Sequence, residues 1–489
     1  MTLTLQNLLP AAPEMFLLTM ITLLLVIDVS LPERYRALTY QMAQATLVGV
    51  AVLVLMFYPE QQVLRFHDTF VNDALAAVLK LAIVLVTFFV FAYSKPYLQD
   101  RNLFKGEYFI LGLMAVLGML VLVSAHSLLT VYLGLELLSL SLYAMVGLHR
   151  ESITASEAAM KYFVLGALAS GMLLYGMSLF YGATGTLDLA EIARYLAGGT
   201  GSDGMIVQEF AGTRPVLILG LVFILVGIAF KLGAAPFHMW VPDVYHGAPT
   251  AVTLFIGSAP KIAAFAMLMR LLVDGLAGLD SDWTQILVIL AIASMAIGNI
   301  IAIAQDNLKR MLAYSTIAHS GFLFLGIIAG TQAGFAASMF YVIVYALMAA
   351  GGFGMIIVLS RTGVEADRLD DFKGLNERSP WYAFLMLILM LSMAGVPPFL
   401  GFWAKWSVLR EVVNADMIWL AVVAVCFAII GLFYYLRVVR MMYFDAPLNQ
   451  ARIQAPAGMR VMISTNALAI LALGVYPSAL MAVCIAVMQ

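Results

Sequence analysis

Nine lysines occur in the 489-residue chain, and five of them, Lys80, Lys161, Lys231, Lys261 and Lys405, fall within or beside long apolar runs. A charge at the centre of a bilayer-spanning helix costs about 2.5–3.5 kcal/mol on insertion scales, so such residues mark partners, cavities or ion paths. Glu136, in GLELLSLSLY, is the acid expected well inside the same bundle. One carboxylate cannot neutralise four or five buried ammonium groups, so some of these lysines are expected to shed a proton readily near neutral pH and to act as proton carriers. Lys231 lies in GIAFKLGAAPFHMW, Lys261 in SAPKIAAF, and Lys405 just past LSMAGVPPFLGF. Lys161 and Glu157 stand four apart on one helix face, the spacing of a plain ion pair or of a further relay station. His319, in YSTIAHSGF, has the side chain whose charge changes near pH 7; it is read either as a relay or as a hydrogen-bonded core residue. No role is assigned to Lys80.

Other chemistries are absent from the pattern. Cys426 and Cys484 are the two cysteines, too few for a thiolate cluster or zinc site. There is no GxxxxGK[ST] loop, HExxH or dinucleotide fingerprint. His238 and His246 lack convergent partners for a metal. The chain is therefore expected to hold no cofactor and no metal, and to draw energy from an ion gradient or a partner.

The elements that position these residues follow from composition. Hydrophobic residues make up 63% and charged residues 11%, against about 25% charged in soluble domains. Mean hydropathy is +0.98. With about 20 apolar residues needed per crossing, the runs predict fourteen transmembrane helices: 14–31, 37–58, 70–93, 108–124, 126–148, 156–182, 214–233, 250–274, 283–303, 307–329, 333–360, 380–404, 417–443 and 459–485. Pro236 after span 7 and Pro397–Pro398 within span 12 predict broken helices, because proline removes a backbone donor and clashes with the preceding turn. With the N-terminus outside, sixteen Lys and Arg fall on inner connections and five, Arg270 among them, on outer ones, as the positive-inside rule requires. Both termini are then expected outside. Met1 is expected to stay attached, as no basic region or cleavage site precedes the first run.

Spans 4–8 and 9–13 each hold five helices with a broken helix fourth. A shift of 174 lays Gly227-x-x-x-Lys231 on Gly401-x-x-x-Lys405. Because five is odd, the second set is inverted, the arrangement of transporter-like folds with function near the midplane. The expectation is an all-α polytopic membrane protein: an N-terminal three-helix segment (1–107), a first repeat (108–276), an inverted second repeat (277–443) and a final helix (444–489). The outer connection 183–214, with GTLDLAEIARYL, is expected to carry a short amphipathic helix.

The runs LGLELLSLSLYAMVG, FKLGAAPFHMWVPDVYHGAPT, QDNLKRMLAYSTIAHSGF and LSMAGVPPFLGFWAKW, with DDFKGL at 370–375, resemble the antiporter-like membrane subunits of respiratory complex I. The resemblance covers nearly the whole chain. It implies a glutamate–lysine pair, here Glu136 and Lys231, with protons passing by Lys261 towards Lys405. A lysine at that last site, and no lateral helix after span 14, set the chain apart from its larger siblings and fit a bacterial form. Proton translocation driven by quinone reduction is implied, with NAD, FMN, iron–sulfur clusters and quinone in other subunits. Implied partners are neighbouring M-like and K-like subunits and membrane lipids, in the bacterial cytoplasmic membrane. Two rival readings stay open: a subunit of a multisubunit sodium/proton antiporter, and a passive membrane scaffold.

Overall fold

A computed structural model describes residues 8–30, 32, 35–198, 210–360, 364–448 and 450–489. Arg34 and Arg361, counted above among inner charges, lie outside the described residues.

The described chain is nearly all helical. Leu9–Ser30, Arg36–Met56 and Ala74–Asp100 form spans 1 to 3. Gly106–Val123, Leu128–Val146, Ile153–Thr184, Thr213–Leu232 and Thr250–Gly275 are spans 4 to 8; Ala277–Ile303, Leu308–Ile328 and Gln332–Leu359 are spans 9 to 11. Span 12 is split into Pro380–Ala394 and Leu400–Asn414. Ile418–Phe444 and Ala457–Val475 complete the set as spans 13 and 14. Span 8 is buried along nearly its whole length and so are spans 10 and 11, whereas spans 1, 2, 13 and 14 keep much of their apolar surface outward. The molecule thus has a central column of spans 8, 10 and 11 inside a ring that faces lipid or partners.

Local chemistry sets the helix starts. Asp73, Ser127, Ser152, Asn307 and Thr331 each accept a hydrogen bond from a first-turn N–H of spans 3, 5, 6, 10 and 11, as N-caps do. Span 3 therefore begins at Ala74 and not at residue 70. Residues Phe70–Asn72 instead pair antiparallel with Val63–Arg65, a small hairpin the hydropathy pattern does not reveal. Span 8, read from sequence as continuous, is interrupted: Thr250–Ile256 ends at Gly257 and Ala259–Leu268 begins beyond Ser258, with Pro260 in its first turn. Span 14 stops at Val475, and Ser478–Met488 is a separate helix after Pro477. The amphipathic helix expected in the 183–214 connection is Leu189–Leu196, with Leu189, Ile192 and Leu196 buried.

The repeat is visible in the backbone, in a different register from the sequence match. Isolated bridges join Ser127 to Asp188 and Asn307 to Arg368, each member 180 residues after its counterpart. Span 4 packs so closely on span 5 that a Cβ on Gly118 would meet Leu138 N and Gly134 O; Gly298 meets Ala318 N and Tyr314 O, again 180 residues on. At the breaks the offset falls to 162. Gly233 and Gly395 both adopt left-handed φ, 75° and 83°, and each is followed by a cis X–Pro bond, Ala235–Pro236 and Pro397–Pro398. The first half simply has the longer connection before its broken helix. The 174-residue shift falls between these two offsets and equals neither, and its Lys231–Lys405 match does not hold: Lys231 precedes its break and Lys405 follows its own.

Candidate functional site

Lys231 sits in the last turn of span 7 and is buried. Its Nζ donates to Ser139 Oγ at 2.9 Å. Ser139 is one turn after Glu136 on span 5, so the acid and the hydroxyl share a face. Among the described residues Glu136 makes no ion pair, and its buried Oε1 has no hydrogen-bond partner. The Glu136–Lys231 pairing implied by the family resemblance is therefore electrostatic at a distance, with Ser139 as the contact. Lys231 and Ser139 line a cavity of about 10 Å³ with Tyr143 and Ser170, close to the least volume that holds one water.

The break after span 7 supplies the next station. The last carbonyls of a helix lack intrahelical donors. Here Phe230 O is taken by Trp240 Nε1 at 3.0 Å. Lys261 Nζ donates to Leu232 O at 3.0 Å and to Lys231 O at 3.4 Å. Ser320 Oγ of span 10 also donates to Leu232 O, at 2.8 Å. Lys261 lies 5.4 Å from the Trp240 ring centroid, a cation–π contact. Lys261 thus reaches the backbone carbonyl of Lys231, while the Lys231 ammonium points to Ser139.

Lys261 also borders a second cavity of about 10 Å³, shared with His319, Thr316, Ser320, Tyr341 and Tyr345. His319 Nδ1 is 2.6 Å from Tyr341 OH and Nε2 is 3.2 Å from Tyr435 OH. Tyr435 OH is in turn 2.5 Å from Ser315 Oγ. His319 is thus both hydrogen-bonded core and a link, since hydroxyls on either side of its ring connect spans 10, 11 and 13. Lys405, on the far half of span 12, donates to Met393 O at 3.0 Å and Ala394 O at 2.9 Å. These carbonyls lie 162 residues after those held by Lys261. Lys405 also lies 5.2 Å from the Phe322 ring centroid and acts electrostatically on His319.

Each break glycine is required twice over. A Cβ at Gly395 would come 2.8 Å from Lys405 Cδ, and one at Gly233 would come 2.7 Å from Val241 Cγ2. The positive φ at both also disfavours any other L-residue.

Lys161 stands apart from this row. Its side chain is 44% exposed and pairs with Glu157 at 2.9 Å and Asp243 at 2.8 Å. Asp243 also binds Arg310 at 2.9 Å, so Lys161 belongs to a surface network that ties span 6 to span 10. Other buried charges escape the hydropathy reading. Glu14 lies 2.6 Å from Lys80 with both side chains buried, so Glu136 is not the sole acid inside. Arg270, expected on an outer connection, is buried between Asp73 at 2.8 Å and Asp274 at 3.0 Å. Lys309, expected on an inner one, is buried 3.8 Å from Glu365. A basic residue in an apolar flank was the available signal for Arg270 and Lys309. Their acidic partners are distant in sequence.

A family model described as "NADH:quinone oxidoreductase/Mrp antiporter, TM" matches residues 125–431. The chain is 56% identical to NADH-quinone oxidoreductase subunit N of Thioalkalivibrio sulfidiphilus (strain HL-EbGR7) over 98% of both chains. It is 58% identical to the protein of that name from Thiobacillus denitrificans (strain ATCC 25259 / T1), over 99% of this chain and 98% of that one. Among solved structures, a chain of respiratory complex I from Thermus thermophilus with bound aureothin superposes with TM-score 0.80 at 30% identity, covering 96% of this chain and 98% of that one. A chain of the Mrp complex from Dietzia sp. DQ12-45-1b superposes with TM-score 0.85 at 20% identity, covering 99% and 97%, and shares the fold.

Proposed function

This chain belongs to the NADH-quinone oxidoreductase subunit N family, and from that premise we propose that it carries protons across the bacterial cytoplasmic membrane as a translocating subunit of that enzyme. The observation that carries the reading is the row Glu136, Lys231, Lys261, His319 and Lys405. Two of its lysines sit on carbonyl pairs at broken helices, and Lys261 and His319 border one cavity.

The row has the parts a relay needs. Each ammonium has a neutral acceptor, Ser139 Oγ or backbone carbonyls, and no fixed counter-ion within 4 Å among the described residues. A proton can therefore leave one lysine without abandoning a buried carboxylate partner, and the cost of losing such a partner is what would lock it in place. Glu136 biases Lys231 from a distance, so movement or neutralisation of Glu136 changes the hold on the first proton. The negative ends of the half-helices of spans 7 and 12 favour a cation at Lys261 and Lys405. Lys161, paired and exposed, serves the outer packing of the same bundle.

Hydride and electron transfer, with NAD, FMN, iron–sulfur clusters and quinone, belong in this reading to other subunits, and M-like and K-like subunits cover the lipid-level faces. The chain divides at residues 107, 276 and 443 into the three-helix segment, the two repeats and the final helix, with both termini on the outer side.

Lys261→Met in the complete enzyme tests the proposal. NADH-driven acidification of inverted membrane vesicles should fall to a small fraction of the native value while a native gel shows the complex assembled. Retained pumping in that variant would leave the chain a passive scaffold. In the same vesicles a C-terminal tag should be shielded from protease; ready cleavage would reverse the orientation.

A further inference from the structure

Away from the lysine row, a cleft of about 550 Å³ opens between the ends of spans 1, 2 and 4 on the Lys/Arg-rich side. Its lining is sorted by depth. Asp28 lies two residues before the end of span 1, Arg36 is the first residue of span 2 and Glu107 the second of span 4. These three charges form the mouth. Leu25, nearly one turn deeper on span 1, and Ile110, Leu111 and Met114 of span 4 form the wall beneath. The last three stand three, four and seven residues past Glu107, the spacing of a single helix face. That face runs inward about 10 Å from Glu107 at 1.5 Å per residue.

The carboxylates at the mouth are held in place but not matched in charge. Thr39 Oγ1 of span 2 donates to Asp28 Oδ1 at 2.6 Å. A Cβ on Gly106 would collide with both oxygens of that carboxylate, so the glycine is what lets Asp28 lie against the start of span 4. Asp28 is half-buried and Glu107 exposed. Among the described residues neither forms an ion pair, and Asp28 Oδ2 and the Glu107 carboxylate accept no hydrogen bond. The mouth therefore presents two carboxylates and one guanidinium.

Carboxylates only accept hydrogen bonds and a guanidinium only donates them. A ligand that satisfies both must bring a cationic N–H donor and, close beside it, anionic oxygens; phosphate oxygens suit the arginine fork. Lipids of net negative charge are drawn to clusters of Lys and Arg, and the balance at this mouth is the reverse. A choline headgroup has the positive charge but no N–H to donate. The wall narrows the choice further. Leu25 is 43% exposed, and Leu111 and Met114 are half-buried. A soluble zwitterion would leave these side chains uncovered, whereas a headgroup tethered to a hydrocarbon chain fills mouth and wall together.

We propose that the cleft binds one phospholipid of the phosphatidylethanolamine class. Its primary ammonium lies between Asp28 and Glu107, its phosphate meets Arg36, and one acyl chain follows the apolar face of span 4. The lipid joins span 4 to spans 1 and 2 at the membrane surface. The site is separate from the lysine row and does not depend on the translocating function.

Photocrosslinking in the complete enzyme tests it. The enzyme is reconstituted in vesicles of equal phosphatidylethanolamine and phosphatidylglycerol, with a trace of one lipid carrying a diazirine in its acyl chain. The tracer is phosphatidylethanolamine, phosphatidylglycerol or phosphatidylcholine in turn, and labelled peptides are read by mass spectrometry. The segment Gly106–Met114 should take the phosphatidylethanolamine tracer about fivefold more than either other tracer. The exposed face of span 13, with Val422 and Ile429, should show no such preference. Glu107→Gln, on an exposed position, should bring the ratio at Gly106–Met114 towards one, and Glu107→Asp should largely restore it. Equal labelling of that segment by all three tracers would mean bulk lipid only and overturns the site. Stronger labelling by phosphatidylglycerol overturns the ammonium assignment. No labelling by any tracer means that another subunit covers the cleft, which also overturns the proposal. An unchanged ratio in Glu107→Gln is checked with Asp28→Asn; a native ratio in both removes the carboxylates as the basis of selection.

Discussion

At the scale of single residues, the chemistry lies in what each charge is allowed to touch. Lys261 and Lys405 touch carbonyls and aromatic faces, whereas Lys80, Arg270 and Lys161 touch carboxylates. The first kind can be emptied of a proton without stranding an anion, and the second is fixed. Glu365 lies outside the spans and lends itself to titration. Burial alone would raise its carboxyl, but Lys309 and Arg101, with the Thr250 and Tyr97 hydroxyls, hold it below the usual carboxylate range. A depressed folded value means that its contribution to stability is complete above the unfolded value of about 4.3 and is lost as pH falls through the lower folded one. Thermal unfolding of the solubilised complex should therefore show an acid-side loss in that window that Glu365→Gln flattens, with the variant less stable at neutral pH. An unchanged acid limb would show that the carboxylate is not held as described. Sequence alone exposed the buried lysines because a lysine in an apolar run is conspicuous. It could not expose how Glu365 is held, because the residue sits in an ordinary polar connection and meets Lys309, Arg101 and Thr250 only across the fold.

At the scale of elements, the broken helices organise the site, and their prolines were legible in the sequence. The interruption of span 8 at Gly257–Ser258 was less so, because the run SAPKIAAF stays apolar through the break. The repeat was legible in order but not in register, since unequal connections spread its offset between 180 and 162 and only backbone bridges and the left-handed glycines resolve the two. Gly395→Ala follows from this geometry. A positive φ costs an L-residue about 1–2 kcal/mol, and the new methyl would push on Lys405 Cδ from 2.8 Å. The substitution should lower both the unfolding temperature and the pumping rate. Gly171→Ala, where nothing lies within 4 Å, should be neutral or slightly stabilising as an alanine in a helix. Equal effects from the two would remove the close approach at the break as the cause.

At the scale of the whole molecule, one buried charge pair joins spans 1 and 3 to each other and a second ties span 3 to the first repeat. Span 1 meets span 3 through the buried Glu14–Lys80 pair, and span 3 meets span 8 through Asp73 and Arg270. Lys80→Met leaves a buried carboxylate unpaired and should cost about 3–5 kcal/mol, while adding Glu14→Gln should recover much of that. Assembly yield and unfolding temperature across the four-member cycle measure the coupling; a double variant no better than the single would show the pair to be independent. The hydropathy pattern announced the helices, but not the Glu14–Lys80 pair, because a paired charge and a functional one look alike in sequence. The two breaks carry a consequence for how such a site is built. Carbonyls 231 and 232 in one half and 393 and 394 in the other each hold an ammonium, yet the first lysine arrives from the next helix and the second from the same one. What the two halves have in common is the socket of two carbonyls. The plug comes from a different element in each, so the position of the lysine and the socket that receives it are separable parts of the fold.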